Sequence, residues 1–275
     1  MPRLYIDSST TFLHIGIDSC EGDSDFDTSR MSNGIFKIHD LTIGLAEELP
    51  GHVKNICKEF GSKISDVHEI VCSLGPGSYT GLRTSLAFSQ GIAFGAFSPS
   101  ENPNIKEGGK KGVRMVGIST FLSDSFLVLS NQEGGVKFGR PFSVVIRGNK
   151  SEFFISKVIF NDVLSGVSPT NVPFEIDPVE VISTETFEEI ILKGDTMGEI
   201  IRLDLEDVSI NKAQAMARFL KAYSESVLPK EPVSTNKDSL FKFNNYFSSW
   251  YFGETAPEPL YVKGLSAKTL KERGR

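Results

Sequence analysis

The sequence predicts a mixed α/β fold in two lobes, and three observations carry that expectation. Short strand-like runs and helical runs alternate along its 275 residues, a length sufficient for a large core. Residues 3–74 follow the order strand, strand, strand, helix, strand. A Pro/Gly/Lys-rich break at 98–112 then precedes a second set of strand-like segments. With 39% hydrophobic and 23% charged residues the composition is that of a soluble globular chain.

Residues 3–7 (RLYID) and 12–17 (FLHIGI) read as two short buried strands joined by a Ser/Thr-rich turn. The acidic stretch 20–33 reads as a loop, and 34–43 as a third strand, giving an antiparallel meander. Leu45, Leu49, Val53, Ile56 and Phe60 recur at helical spacing, with Pro50 tolerated near the start and Gly61 placed as a C-cap. Residues 69–74 form a buried strand that runs into a Gly-Pro-Gly turn. The order β-β-β-α-β-α is that of a ribonuclease H-like or actin-like half. After the break, 113–118, 143–147 and 153–160 are strand-like, 119–130 carries a helix and 166–177 is loop-rich. Residues 213–223 (AQAMARFLKAY) form a clear helix, whereas 228–256 shows no strong period.

The stretch 73–97, SLGPGSYTGLRTSLAFSQGIAFGAF, is the most informative. Gly75, Pro76 and Gly77 make a rigid turn; Ser78, Tyr79, Thr80 and Gly81 open a helix, where Ser78 or Thr80 can cap free amides. The turn lacks the GK[ST] ending of a P-loop, the spacing of a dinucleotide turn and the glycines of a hydrolase elbow. The helix is apolar nearly all round, whereas a surface helix has one apolar stripe of about 100°. Leu82, Leu86, Ala93 and Phe97 share one face; Phe88, Ile92 and Gly95 lie roughly opposite. Such a helix is either buried on both sides within one domain, or sets one face on its own sheet and the other on a partner. For the second arrangement the expected contact residues are Arg83, Ser85, Phe88, Ser89, Gly91, Ile92 and Gly95, with Phe88 pointing to the partner and Leu86 to the core. A surplus apolar face also predicts weak homodimerisation.

GPGSYTGLR followed by a small-residue apolar helix resembles the signature of the bacterial TsaB (YeaZ) family. Leu4-Tyr-Ile-Asp-Ser-Ser-Thr-Thr resembles that family's opening strand and turn. Met115-Val-Gly-Ile-Ser-Thr resembles the strand opening its second half, and Pro259-Leu-Tyr-Val-Lys its terminal motif. The resemblance implies an actin-like (ASKHA) fold, with an N-terminal lobe over 1–98, a linker over 99–112 and a diverged C-terminal lobe over 113–275. It implies a non-catalytic cytoplasmic subunit in tRNA N6-threonylcarbamoyladenosine (t6A37) synthesis, which binds and organises the catalytic subunit TsaD. A TsaE-type ATPase docks on that pair, and tRNA is reached only through the complex. Where this family often has His in the first helix the chain has Leu45, and its second-lobe acidic turn is reduced to Glu152.

Asp7, Ser8, Ser9, Thr10 and Thr11 resemble the phosphate-cradling turn of actin-like ATPases and sugar kinases, in which the acidic residue serves Mg²⁺ through water. The same five residues also suit a hairpin turn closed by local side-chain bonds. No second Asp-x-Gly-Thr/Ser turn follows residue 112, the nearest remnant being Gly194-Asp195-Thr196, so the turn reads as vestigial and no cofactor is expected. The alternative reading is an ATP-dependent small-molecule kinase of the ASKHA type that uses Asp7 and Thr10.

Searches for other chemistry come out negative. His14, His39, His52 and His68 contain no pair at helical spacing, and Asp23, Asp25 and Asp27 lack the Gly and Glu of a calcium loop. A peptidase would find neither nucleophile nor metal constellation. Cys20, Cys57 and Cys72 form no CxxC, which suits free thiols in the cytosol. No apolar run reaches the 18 or so residues of a membrane span, and the N-terminus reads as a strand rather than a secretory signal. A net charge of −6 argues against tight unaided tRNA binding.

Overall fold

A computed structural model describes residues 1–19, 34–40, 44–96, 113–131, 139–149, 152–161, 174–193, 199–204, 211–223 and 247–250. Its first three strands are the expected meander. β1 (Pro2–Asp7) pairs antiparallel with β2 (Phe12–Ser19), and β2 with β3 (Ile35–Asp40). Alternation sorts the side chains to two faces. Leu4 and Ile6 share one face with Ile15 and Ile17, and Tyr5 turns to the other.

Helix α1 (Leu45–Glu59) buries Leu49, Val53, Ile56 and Cys57 on the Leu4/Ile6 face. It ends as expected at Gly61, whose φ of +77° lets Ser62 N–H reach the Cys57 carbonyl at 2.9 Å. β4 (Glu69–Gly75) pairs parallel with β1. Helix α2 (Tyr79–Ala96) then returns the chain over the same face to β5 (Arg114–Ser119), which pairs parallel with β4.

That crossover moves the expected lobe boundary. The first sheet has the order β11-β5-β4-β1-β2-β3 and so includes β5 and the short β11 (Phe247–Trp250). Parallel neighbours need a crossover helix between them, so α2 commits the chain to a further strand in the same sheet. Residues 1–98 therefore do not complete the first lobe. The expected 99–112 linker falls between α2 and β5, outside the described residues.

Helices α3 (Thr120–Asn131) and α5 (Lys212–Tyr223) lie on the opposite face of the first sheet. Their Phe121, Leu122, Phe126, Met216, Phe219 and Leu220 fill one core with Tyr5, Val71 and Val116 from the first sheet. The same core takes Val144, Ile146, Val158 and Phe160 from a second sheet. That sheet has the order β10-β6-β7-β8, with β9 also on β7, from β6 (Phe142–Asn149), β7 (Glu152–Phe160), β8 (Phe174–Ile176), β9 (Glu180–Ser183) and β10 (Glu199–Asp204). Its outer face carries α4 (Thr184–Lys193), where Phe187 meets Phe153 with ring centroids 4.4 Å apart.

The layers thus run helices, sheet, helices, sheet, helix. Sequence periodicity did not place β8, β9, α4, β10 or β11, and 166–177, expected as loop, contains β8. The acidic stretch 20–33, the Gly194-Asp195-Thr196 remnant, most of 228–256 and the terminal Pro259 motif lie outside the described residues.

Candidate functional site

The Asp7 turn and the Gly-Pro-Gly turn are packed directly on each other at one end of the first sheet. A Cβ on Gly77 would sit 2.4 Å from the Ser9 carbonyl oxygen, and one on Gly81 would sit 1.9 Å from that of Ser8. Backbone approaches backbone there, and only glycine permits it. Hydrogen bonds join the turns in both directions. Ser78 N–H donates to the Ser9 carbonyl at 2.6 Å, and Ser8 Oγ donates to the Gly81 carbonyl at 2.8 Å. Ser78 Oγ caps α2 by accepting from Gly81 N–H at 3.2 Å. From the far side, Ser119 Oγ and Thr120 Oγ1 donate to the Gly75 and Pro76 carbonyls at 3.0 and 3.3 Å. The Gly75–Pro76 peptide is cis.

Within the first turn Asp7 Oδ1 accepts from both Ser9 N–H and Ser9 Oγ, at 3.0 and 2.8 Å. Thr10 Oγ1 bonds the backbone of Phe12, while Thr11 is exposed. Beside Asp7 in the β1–β2 register lies His14, whose Nδ1 accepts from the Lys212 backbone N–H at 3.3 Å. Burial, with a smaller push from Lys212, lowers the His14 imidazole to about 4, against a raising influence of Asp7. The Lys212 ammonium forms an ion pair with Asp124, and the two side chains are only 2% and 1% exposed. Ser123 Oγ bonds the Asp124 carboxylate at 3.2 Å. Burial pushes the Asp124 carboxyl up, and Lys212 pulls it down.

This arrangement does not fit the magnesium-bound nucleotide that an actin-like fold implies. The Ser8 and Ser9 hydroxyls donate to the protein, the glycine turn covers their carbonyls, and an ammonium already sits on Asp124. The five-residue turn is the locally bonded hairpin, held against α2. Among the described residues no three His, Cys, Asp or Glu side chains could hold a metal ion.

Helix α2 sorts its residues differently from the sequence expectation. Ser85 and Ser89 are fully buried and so leave the expected partner face. Their hydroxyls donate back to the Leu82 and Ser85 carbonyls at 3.1 and 2.7 Å, and Ser89 Oγ lies 3.1 Å from Cys72 Sγ on β4. Self-bonded small residues let the helix approach the sheet closely. Leu86 is buried at 3% exposure, as expected, but Phe88 and Ile92 are half-buried against the same core. The outward stripe is Tyr79, Arg83, Ala87, Gly91, Phe94 and Gly95. Phe94 is 64% exposed, and a Cβ on Gly91 or Gly95 would meet nothing within 4 Å. At its start the Arg83 guanidinium bonds the Tyr79 hydroxyl and lies 5.2 Å from that ring's centroid.

The family model of TsaD, tRNA N6-adenosine threonylcarbamoyltransferase, matches residues 44–100, which span α1, β4, the glycine turn and α2. A crystal structure of an uncharacterized protein with similarity to peptidase YEAZ from Pseudomonas aeruginosa matches with a TM-score of 0.51 at 14% identity, over 80% of this chain and 92% of that one. The chain has the actin-like fold of that YeaZ-like structure. YeaZ from Pseudomonas aeruginosa itself matches at a TM-score of 0.49 and 14% identity, over 81% of this chain and 93% of that one. No curated protein matches. The TsaD match contains the GPGSYTGLR turn and the helix that follows it. No helix among the described residues is long and apolar enough to cross a membrane.

Proposed function

We propose that this chain is the non-catalytic, TsaB-like subunit of a t6A37-forming complex, and that the outward stripe of α2 docks a TsaD-type catalytic subunit. One observation carries the reading: α2 presents an exposed Phe94 beside two glycines whose outward sides are open, while its other face is set into the first sheet. Glycines on an exposed helix face cost stability in the isolated chain, roughly 1 kcal/mol each relative to Ala. They suit a surface that a second helix approaches closely. A TsaE-type ATPase joins the assembled pair, and tRNA is met through the complex, in the cytoplasm. Free protein associates weakly through the same stripe.

The test is co-purification with a TsaD-type subunit and native mass measurement of wild type, Phe94→Glu and Leu86→Glu. Phe94→Glu keeps thermal unfolding within about 0.5 kcal/mol of wild type, as surface changes do, and loses the partner. Leu86→Glu buries an unpaired charge and loses several kcal/mol of stability, on the order of 3 or more. Full binding by Phe94→Glu would place the interface elsewhere. Robust ATP turnover by the chain alone, abolished by Asp7→Ala, would favour the kinase reading.

A further inference from the structure

The buried ion pair at the N-terminus of α5 is not accounted for by docking through α2. Lys212 is the first residue of its helix, where a positive charge opposes the helix dipole. A buried lysine there is doubly unfavourable unless something fixed demands its charge. The groups around it show the demand. Asp124 is fully buried on α3, and Asp7 is buried on β1 opposite His14, whose Nδ1 accepts from the Lys212 N–H. Ser9 Oγ bonds the Asp7 carboxylate and Ser123 Oγ that of Asp124, and carboxylate and hydroxyl oxygens are the ligands hard divalent cations take.

We propose that the Lys212 ammonium is a built-in cation, standing at the charged position beside Asp124 and the Asp7 turn that a divalent ion would need and closing this end of the sheet to metal-bound phosphates. The device is mechanical as well as electrostatic. Lys212 N–H is fixed on His14 of β2 and its ammonium on α3, so α5 is tied to both elements. The inference is independent of the partner reading, because it concerns the opposite face of the sheet from α2.

The experiment uses Mn²⁺ alone as probe, followed by loss of its free electron-spin-resonance signal. The full chain is compared as wild type, Lys212→Ala, Lys212→Met and Lys212→Ala with Asp124→Asn. Wild type leaves the Mn²⁺ signal unchanged. Lys212→Ala removes charge and volume and binds about one Mn²⁺ per chain, about tenfold or more tighter than wild type, through the freed Asp124 carboxylate. Lys212→Met keeps the position filled and binds none, and the double variant loses the gain. If Lys212→Ala unfolds in chelator, Mn²⁺ restores its folded circular-dichroism spectrum. Mn²⁺ binding by wild type that Asp124→Asn abolishes would overturn the proposal. So would a Lys212→Ala protein that neither binds Mn²⁺ nor is restored by it.

Discussion

Replacing Gly81 by Ala tests whether the two turns are held backbone against backbone. The added Cβ would lie 1.9 Å from the Ser8 carbonyl oxygen, where real contacts do not fall below 3.0 Å. The helix start must therefore retreat by about 1.1 Å, the difference of those distances. The obstacle is backbone, so no side-chain rotation relieves it. Such a retreat stretches the 2.8 Å bond from Ser8 Oγ to the Gly81 carbonyl and the 2.6 Å bond from Ser78 N–H to the Ser9 carbonyl beyond useful length. Two hydrogen bonds at about 1 kcal/mol each and about 1–3 kcal/mol of overpacking are lost. Better helix propensity returns about 1 kcal/mol. The net loss is about 2–4 kcal/mol, or on the order of 10 °C in Tm for a chain of this size. Gly91→Ala is the control: nothing lies within 4 Å of its Cβ, and the same exchange there stabilises by about 0.5–1 kcal/mol. Urea and thermal denaturation of both proteins measure the difference. A Gly81→Ala protein as stable as Gly91→Ala would refute the close approach.

Two buried groups give opposite pH dependence. His14 is lowered to about 4, so the unfolded chain takes up a proton first and stability falls as pH drops from about 6.5 to 4, by about 3 kcal/mol at 1.36 per unit; His14→Gln removes that slope in Tm-versus-pH scans, and an unchanged slope would contradict it. Asp18 is raised to about 6 by burial, against Arg3, so its ionised form costs stability as pH rises from about 4 to 6. Asp18→Asn gains on wild type by roughly 3 kcal/mol over that window, and parallel curves for the two proteins would count against it. Glu69 on β4 bridges Arg3 on β1 and Arg114 on β5 in cross-strand register. Glu69→Gln leaves two partly buried guanidinium groups without that charge and costs about 3 kcal/mol in urea denaturation; a loss below about 0.5 kcal/mol would mean solvent screens the pair. Sedimentation at rising concentration should show weak self-association that Phe94→Glu removes, and persistence in that variant would put the homodimer on another surface.

The elements legible in the sequence are those whose burial is set locally. The meander alternates, α1 repeats Leu45, Leu49, Val53 and Ile56, and the glycine turn announces a helix start. β11 was illegible because FSSW has no period of its own and exists as a strand through pairing with β5. On α2 the apolar residues alone could not say which side the sheet takes. Ser85 and Ser89 looked like surface residues, yet hydroxyls satisfied within the helix are cheap to bury. The polar end was half visible: the Asp7 turn stood out, while Lys212 joined it only through the return of α5. A lysine at the first position of a helix was the one signal available.

The closing of the first sheet by late segments sets an order for synthesis. β1 exposes Tyr5 on a face that α3 covers only together with α5, whose first residue bonds His14 across 198 positions of sequence. A growing chain therefore carries an apolar surface through most of its translation before the cover emerges from the ribosome. Contacts this distant in sequence also slow the final docking step. Dependence on a holding chaperone should accordingly last until α5 is made, and a fragment ending at 98 should aggregate rather than fold.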